Sequence, residues 1–87
     1  MALQFPNISR SFDVTRGCVR FSGYDHTREV AFFIKQNVVY YFNRGALVSL
    51  ESLLAAFDHH RDRICHAAVR AYGQRLKGSY TLTLADF

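Results

Sequence analysis

The chain has 87 residues, an apolar fraction of 49% and a formal charge of +4 at pH 7, with an isoelectric point near 9.4. That length holds one domain, residues 1–87, and excludes a second. Eight Phe and five Tyr exclude the low-hydrophobicity, high-charge class of chains that stays disordered. Two cysteines, Cys18 and Cys65, are too few for a disulfide framework and point to a reducing compartment. Residues 1–8 include Pro6 and Asn7 and lack the apolar run of a secretory signal. The longest apolar runs, Val30 to Ile34 and Val38 to Phe42, fall far short of the roughly 18 residues that span a bilayer. The expectation is a cytoplasmic protein with no membrane partner.

Apolar residues alternate through Phe12, Val14, Val19 and Phe21, and again through Val30, Phe32 and Ile34, with β-branched and aromatic types throughout. A two-residue period of that kind predicts strands. Thr15-Arg16-Gly17 reads as the hairpin turn between the first two, with Gly17 free to take a positive φ. Residues 22–26 read as the next turn, leading into a strand over 27–35 and completing an antiparallel meander.

Residues 36–43 have strand-forming side chains, yet Val38, Tyr41 and Phe42 also match helical spacing. A short helix is predicted there, because Asn43-Arg44-Gly45 supplies a fitting stop. Ser49 is a candidate N-cap for one long helix running to about Tyr72, with Leu50, Leu53, Leu54, Phe57, Ile64, Ala68, Ala71 and Tyr72 on its apolar stripe. Gly73 marks its end. Tyr80, Leu82 and Leu84 then alternate with Thr81 and Thr83, predicting a closing strand paired with the N-terminal sheet. The predicted fold is α+β: a small antiparallel sheet, made of the meander and the C-terminal strand, packed on one long helix with a short helix before it.

The net charge is concentrated. Arg61, Arg63, Arg70, Arg75 and Lys77 stand against Asp62 alone between His59 and Gly78, while basic and acidic residues elsewhere cancel. At about 100° per residue, His59, Arg63, His66 and Arg70 fall within roughly 60° of one another, away from the apolar stripe, and Lys77 joins them if the helix continues. Such a ridge suits phosphate contact with nucleic acid. The competing reading is a solvated helix face whose cations complement the helix dipole. Tyr24, Tyr40, Tyr41, Tyr72 and Tyr80 are candidates for base stacking beside it, or for core filling.

Catalysis finds little support. Cys18 with His26, or Cys65 with His60, pair a nucleophile with a base on paper only, and the five Gly are too dispersed for a phosphate loop. A deep pocket holding His26 or His60 beside a carboxylate is what acid–base chemistry would require. His59, Asp62 and His66 have ligand spacing on a helix, but Arg63 projects among them and repels a cation. No cofactor, metal or catalytic residue is therefore expected. Arg61 lies on the edge of the apolar stripe between Phe57 and Ile64, where a guanidinium must find an acceptor. A structural bond, to the chain terminus, Asp86 or a strand carbonyl, is the reading preferred for Arg61 and Asp86.

Gln4-Phe5-Pro6, Val19-Arg20-Phe21, the Leu53-Leu54…Phe57…Arg61…Ile64 spacing, Tyr72, and Leu82 through Asp86-Phe87 together resemble a bacterial family, domain of unknown function 1488, over the whole chain. The resemblance implies a small cytoplasmic α+β protein with residues 36–43 helical. This chain departs from the family in carrying Val-Val-Tyr-Tyr there, where better helix formers are usual. The family brings no established activity, cofactor or catalytic residue; some members carry a loose transcriptional-regulator label. The leading expectation is thus a non-enzymatic binding protein contacting nucleic acid through His59, Arg63, His66, Arg70 and Lys77. The alternative is a homodimer or protein-interaction module using a strand edge or the Tyr40, Tyr41 and Phe42 patch.

Overall fold

A computed structural model describes residues 3–43, 49–74 and 78–87. In chain order the elements are β1 (Leu3–Gln4), β2 (Arg10–Asp13), β3 (Cys18–Asp25), β4 (Arg28–Lys35), α1 (Gln36–Phe42), α2 (Leu50–His59), α3 (Arg61–Gln74) and β5 (Ser79–Leu82), followed by a 3-10 turn at Leu84–Asp86. The fold is α+β, with one five-stranded sheet. β1 and β2 pair successive stretches of β3 and share the side of it that faces away from β4.

The β2–β3 turn falls where the sequence places it, with Gly17 at φ 64°. The next turn does not. β3 continues through Ser22, Gly23 and Tyr24, and only His26 and Thr27 separate it from β4. β1 is also unannounced, since two residues carry no period. Val14 belongs to the turn and not to a strand, which leaves it 83% exposed.

The sheet is mixed where a purely antiparallel one is expected, because β5 runs parallel to β4, Phe32 opposite Tyr80 and Ile34 opposite Leu82. Parallel neighbours need a long crossover, and residues 36–78 supply it. The closing strand stops at Leu82; Leu84 sits in the 3-10 turn, 44% exposed.

The predicted short helix is present as α1, although no side chain caps its N-terminus and no charged residue complements its dipole. Burial holds it: Val38 and Val39 are sealed in the core, and such packing outweighs weak propensity. Asn43 caps its end through an N–H···O bond to Val39 at 3.1 Å; Arg44 and Gly45 lie outside the described residues. Ser49 does cap α2, accepting from the Ser52 N–H at 3.1 Å while the Ser52 hydroxyl accepts from the Ser49 N–H at 3.0 Å.

The long helix is two helices. The chain leaves helical geometry at His60 (φ −103°, ψ 16°), with neither Gly nor Pro at the joint, so the apolar period runs through the break unaltered. Leu50, placed on the stripe, is 52% exposed, and α3 continues one residue beyond Gly73.

One face of the sheet receives the helices. Val19, Phe21, Val30, Phe32, Ile34, Tyr80 and Leu82 meet Val38, Val39, Leu53, Phe57, Ile64, Ala67, Ala68 and Tyr72 there. Alanines at 67 and 68 let the α3 backbone lie close to the sheet. Phe21 and Phe32 stack at 5.4 Å, as do Phe32 and Tyr80, and Phe57 closes on Phe21 at 5.2 Å. On the other face Phe33 is shielded by the Arg16 guanidinium, 4.3 Å above its ring.

Candidate nucleic-acid interface

α3 buries Ile64, Ala67, Ala68 and Tyr72, which leaves Arg63, His66 and Arg70 on its outer side, all exposed. His59 is exposed too, at the end of α2 and across the joint from them. Lys77 lies outside the described residues. The ridge is therefore carried by two helices, with its continuous part on α3.

The ridge borders the 3-10 turn. Arg63 lies over the Phe87 ring at 5.9 Å, and Arg70 donates from Nη2 to the Asp86 carbonyl oxygen at 2.5 Å. The Asp86 carboxylate is turned to its own backbone, accepting from the Thr83 N–H at 2.7 Å. Two ridge cations thus touch the C-terminal segment through a ring and a carbonyl.

Asp58 is occupied in the same way. It accepts from Arg10 Nε at 3.0 Å and Nη2 at 2.9 Å, and from Arg61 Nη2 at 2.9 Å. Burial alone would raise its pKa, but the bonds from Arg10 and Arg61 outweigh that and hold the carboxyl below its ordinary value. Arg61 also donates to the Ile8 carbonyl at 2.9 Å and rests 4.9 Å over the Phe57 ring. Its acceptors are therefore Asp58 and a carbonyl in the loop before β2, not the chain terminus, Asp86 or a strand carbonyl, while Asp86 serves Thr83. Arg10, which the sequence does not single out, completes this cluster from 48 residues away.

His60 stands at the helix joint, half-buried, with its pKa lowered first by burial and then by the charges of His59 and Arg63. The three groups thus share one electrostatic neighbourhood. His59 and His60 meet edge to face at 4.9 Å.

Neither cysteine is activated. Cys18 is buried and burial pushes its thiol up; Cys65 is half-buried and is shifted the same way, the reverse of what a nucleophile needs. Cys18 opens the eight-residue β3 and His26 follows its far end, so the two are about 25 Å apart along an extended chain. His26 does line a cavity of about 360 Å³ with Gln4, Pro6 and Tyr24, and its Nε2 is 3.8 Å from Asp25 Oδ1. Asp25 Oδ2 in turn accepts from the Tyr72 hydroxyl at 2.5 Å, a bond that, with burial, raises the phenol pKa. Among the described residues no three His, Cys, Asp or Glu are grouped to hold a metal, and no helix is long and apolar enough to cross a membrane.

Sequence reasoning misses one further feature. Tyr41 of α1, Arg63 of α3, and Leu84 and Phe87 line a shared cleft of about 280 Å³. The Tyr residues are visible as stacking candidates, but only the tertiary arrangement shows which of them stands beside the ridge. Tyr72 and Tyr80 are core residues, whereas Tyr41 is 74% exposed.

No curated protein matches this chain. A crystal structure of a protein of unknown function from Shewanella loihica PV-4, of the DUF1488 family, has 18% sequence identity and a TM-score of 0.82. The match covers 93% of this chain and 91% of that one, and at this identity it establishes the fold. The family described as "Protein of unknown function (DUF1488)" matches residues 3–84, and the chain belongs to it.

Proposed function

We propose that the protein is a non-enzymatic binding protein that contacts the phosphate backbone of nucleic acid through the outer side of α3. The observation that carries this reading is the exposure of Arg63, His66 and Arg70 on one helix face, with His59 adjoining. Of the nearby carboxylates, Asp58 and Asp86 are engaged elsewhere, and the exposed Asp62 in the first turn of α3 offsets part of the ridge's charge. A ridge of this kind contacts phosphates without reading base edges, so binding should be weakly selective and strongly salt-dependent.

Fluorescence anisotropy of labelled DNA at about 50 and 200 mM salt tests it. Wild-type protein should lose affinity by one or more orders of magnitude across that range. The double variant Arg63→Glu, Arg70→Glu should abolish binding at the lower salt. Unchanged affinity in that variant would remove the ridge as the site.

A second reading, self-association, is favoured by a separate observation. Val14, Tyr40 and Leu50, which are 83%, 45% and 52% exposed, line a cavity of about 360 Å³ with Phe12 and Leu53. Light scattering of wild type and Leu50→Lys at high concentration tests it: a monomer in both removes this reading.

A further inference from the structure

The cleft beside the ridge joins two chemistries that the sequence keeps 22 positions apart. Tyr41 presents an exposed phenol from α1, and Arg63 belongs both to the cleft and to the cationic face. Phe87, half-buried, also lines it and already carries a planar cation above its ring in the Arg63 guanidinium. The cleft is thus lined for stacking, with Leu84 as an apolar wall.

From Arg63 the ridge continues through His66 to Arg70, about 10 Å along the helix axis at 1.5 Å per residue. That length matches about three nucleotides of a stacked strand at 3.4 Å each. A cleft lined by Tyr41 and Phe87, bordering a row of basic side chains of that length, is complementary to a base and to the phosphates that follow it. A base inside a duplex is not available to such a cleft, whereas an unpaired one is.

Resting on the proposed ridge contact, we infer that the protein prefers single-stranded nucleic acid, holding one unpaired base in the cleft against Tyr41 while Arg63, His66 and Arg70 take the adjoining phosphates. Stacking is tolerant of base identity, so the preference is for strandedness and not for sequence.

The test uses the full chain and three labelled probes of about 20 nucleotides: oligothymidylate, an abasic strand of equal charge, and a duplex. Wild-type protein should bind oligothymidylate roughly 5- to 150-fold more tightly than the abasic strand, the range expected for one stacked base. Tyr41→Ala should erase that difference and leave abasic affinity unchanged, and Tyr41→Phe should keep the preference. Because Tyr41 is an exposed side chain, circular dichroism should show both variants folded. Equal affinity of wild type for the thymidylate and abasic strands, with loss of both in Arg63→Glu, Arg70→Glu, would overturn the cleft while leaving the ridge. No binding of any probe at low salt would overturn both. Tyr41→Ala converting a dimer to a monomer without altering probe preference would assign the cleft to a second copy of the chain.

Discussion

His26 has a φ of 58°, the only non-glycine among the described residues on the left-handed side. It opens the two-residue connection from β3 to β4, where a positive φ suits the twist of the strands and glycine is the favoured occupant. For an L-residue this geometry costs roughly 1–2 kcal/mol. His26→Gly should therefore raise stability by about 0.5–1 kcal/mol, read as a higher midpoint in urea, once the extra freedom of glycine in the unfolded chain is offset. A lower midpoint would mean that the imidazole contributes more through Asp25 than its backbone costs. The contrast with Gly17 is instructive. There the residue type announces the positive φ, whereas a histidine gives no such sign, and the sequence reading accordingly sets the second turn too early. Gly23, read as a turn residue, is a strand residue whose missing side chain makes room for Phe5: a Cβ there would meet the Phe5 ring at 2.8 Å.

The joint between α2 and α3 collects two groups whose titration opposes folding in acid. His60 is held neutral by burial and by its charged neighbours, so the unfolded chain takes up that proton first, near the ordinary value of 6.5. Its contribution is complete above that pH and declines as pH falls below it. Asp58, held ionised by Arg10 and Arg61, contributes above the ordinary value of 3.8 and loses that contribution below it. Stability should consequently fall in two steps on acidification. His60→Gln should flatten the step that begins below about pH 6.5, and Asp58→Asn the one that begins below about pH 4. With its carboxylate 43% exposed, Asp58 should contribute about 1 kcal/mol at neutral pH after solvent screening. Denaturant titrations across that range check both, and an unchanged acid limb in either variant would refute its assignment. The joint itself is invisible to periodicity, since Phe57 and Ile64 keep one face whether or not His60 is helical. The cap at Ser49 is legible because a hydroxyl three residues ahead of a second hydroxyl has a local partner, requiring no tertiary information.

At the scale of the molecule, the aromatic core is what an 87-residue chain has in place of bulk. Phe57 is fully buried and contacts both the Phe21 ring and the Arg61 guanidinium. Phe57→Ala should cost about 3–5 kcal/mol, a large share of the roughly 4–13 kcal/mol available to a domain this size. A thermal midpoint lower by at least about 15 °C is expected; a shift under 5 °C would show that the core collapses around the vacancy. The α+β class, α1, the α2 cap and most core positions are legible from pattern, because burial imposes a period on the residues that supply it. The parallel pairing of β5 is not, since a strand's own alternation is the same in either direction. The ridge is legible as charge and spacing, while the Arg10–Asp58–Arg61 cluster and the Tyr41 cleft join elements distant in sequence and become visible only in three dimensions.

The crossover over residues 36–78 sets an order on assembly. β3 and β4 meet across a two-residue turn, so their pairing sacrifices little chain entropy, whereas β5 reaches β4 only after the intervening helices have drawn the chain together. Loosening the hairpin should therefore slow refolding, and loosening β5 should act mainly by hastening unfolding. In stopped-flow chevrons, Val30→Ala should shift the refolding arm and Leu82→Ala the unfolding arm; the opposite assignment would place β5 in the folding nucleus. A protein built this way can release its β5 strand while the hairpin persists, so amide exchange in Ser79–Leu82 should proceed faster than in Val30–Ile34.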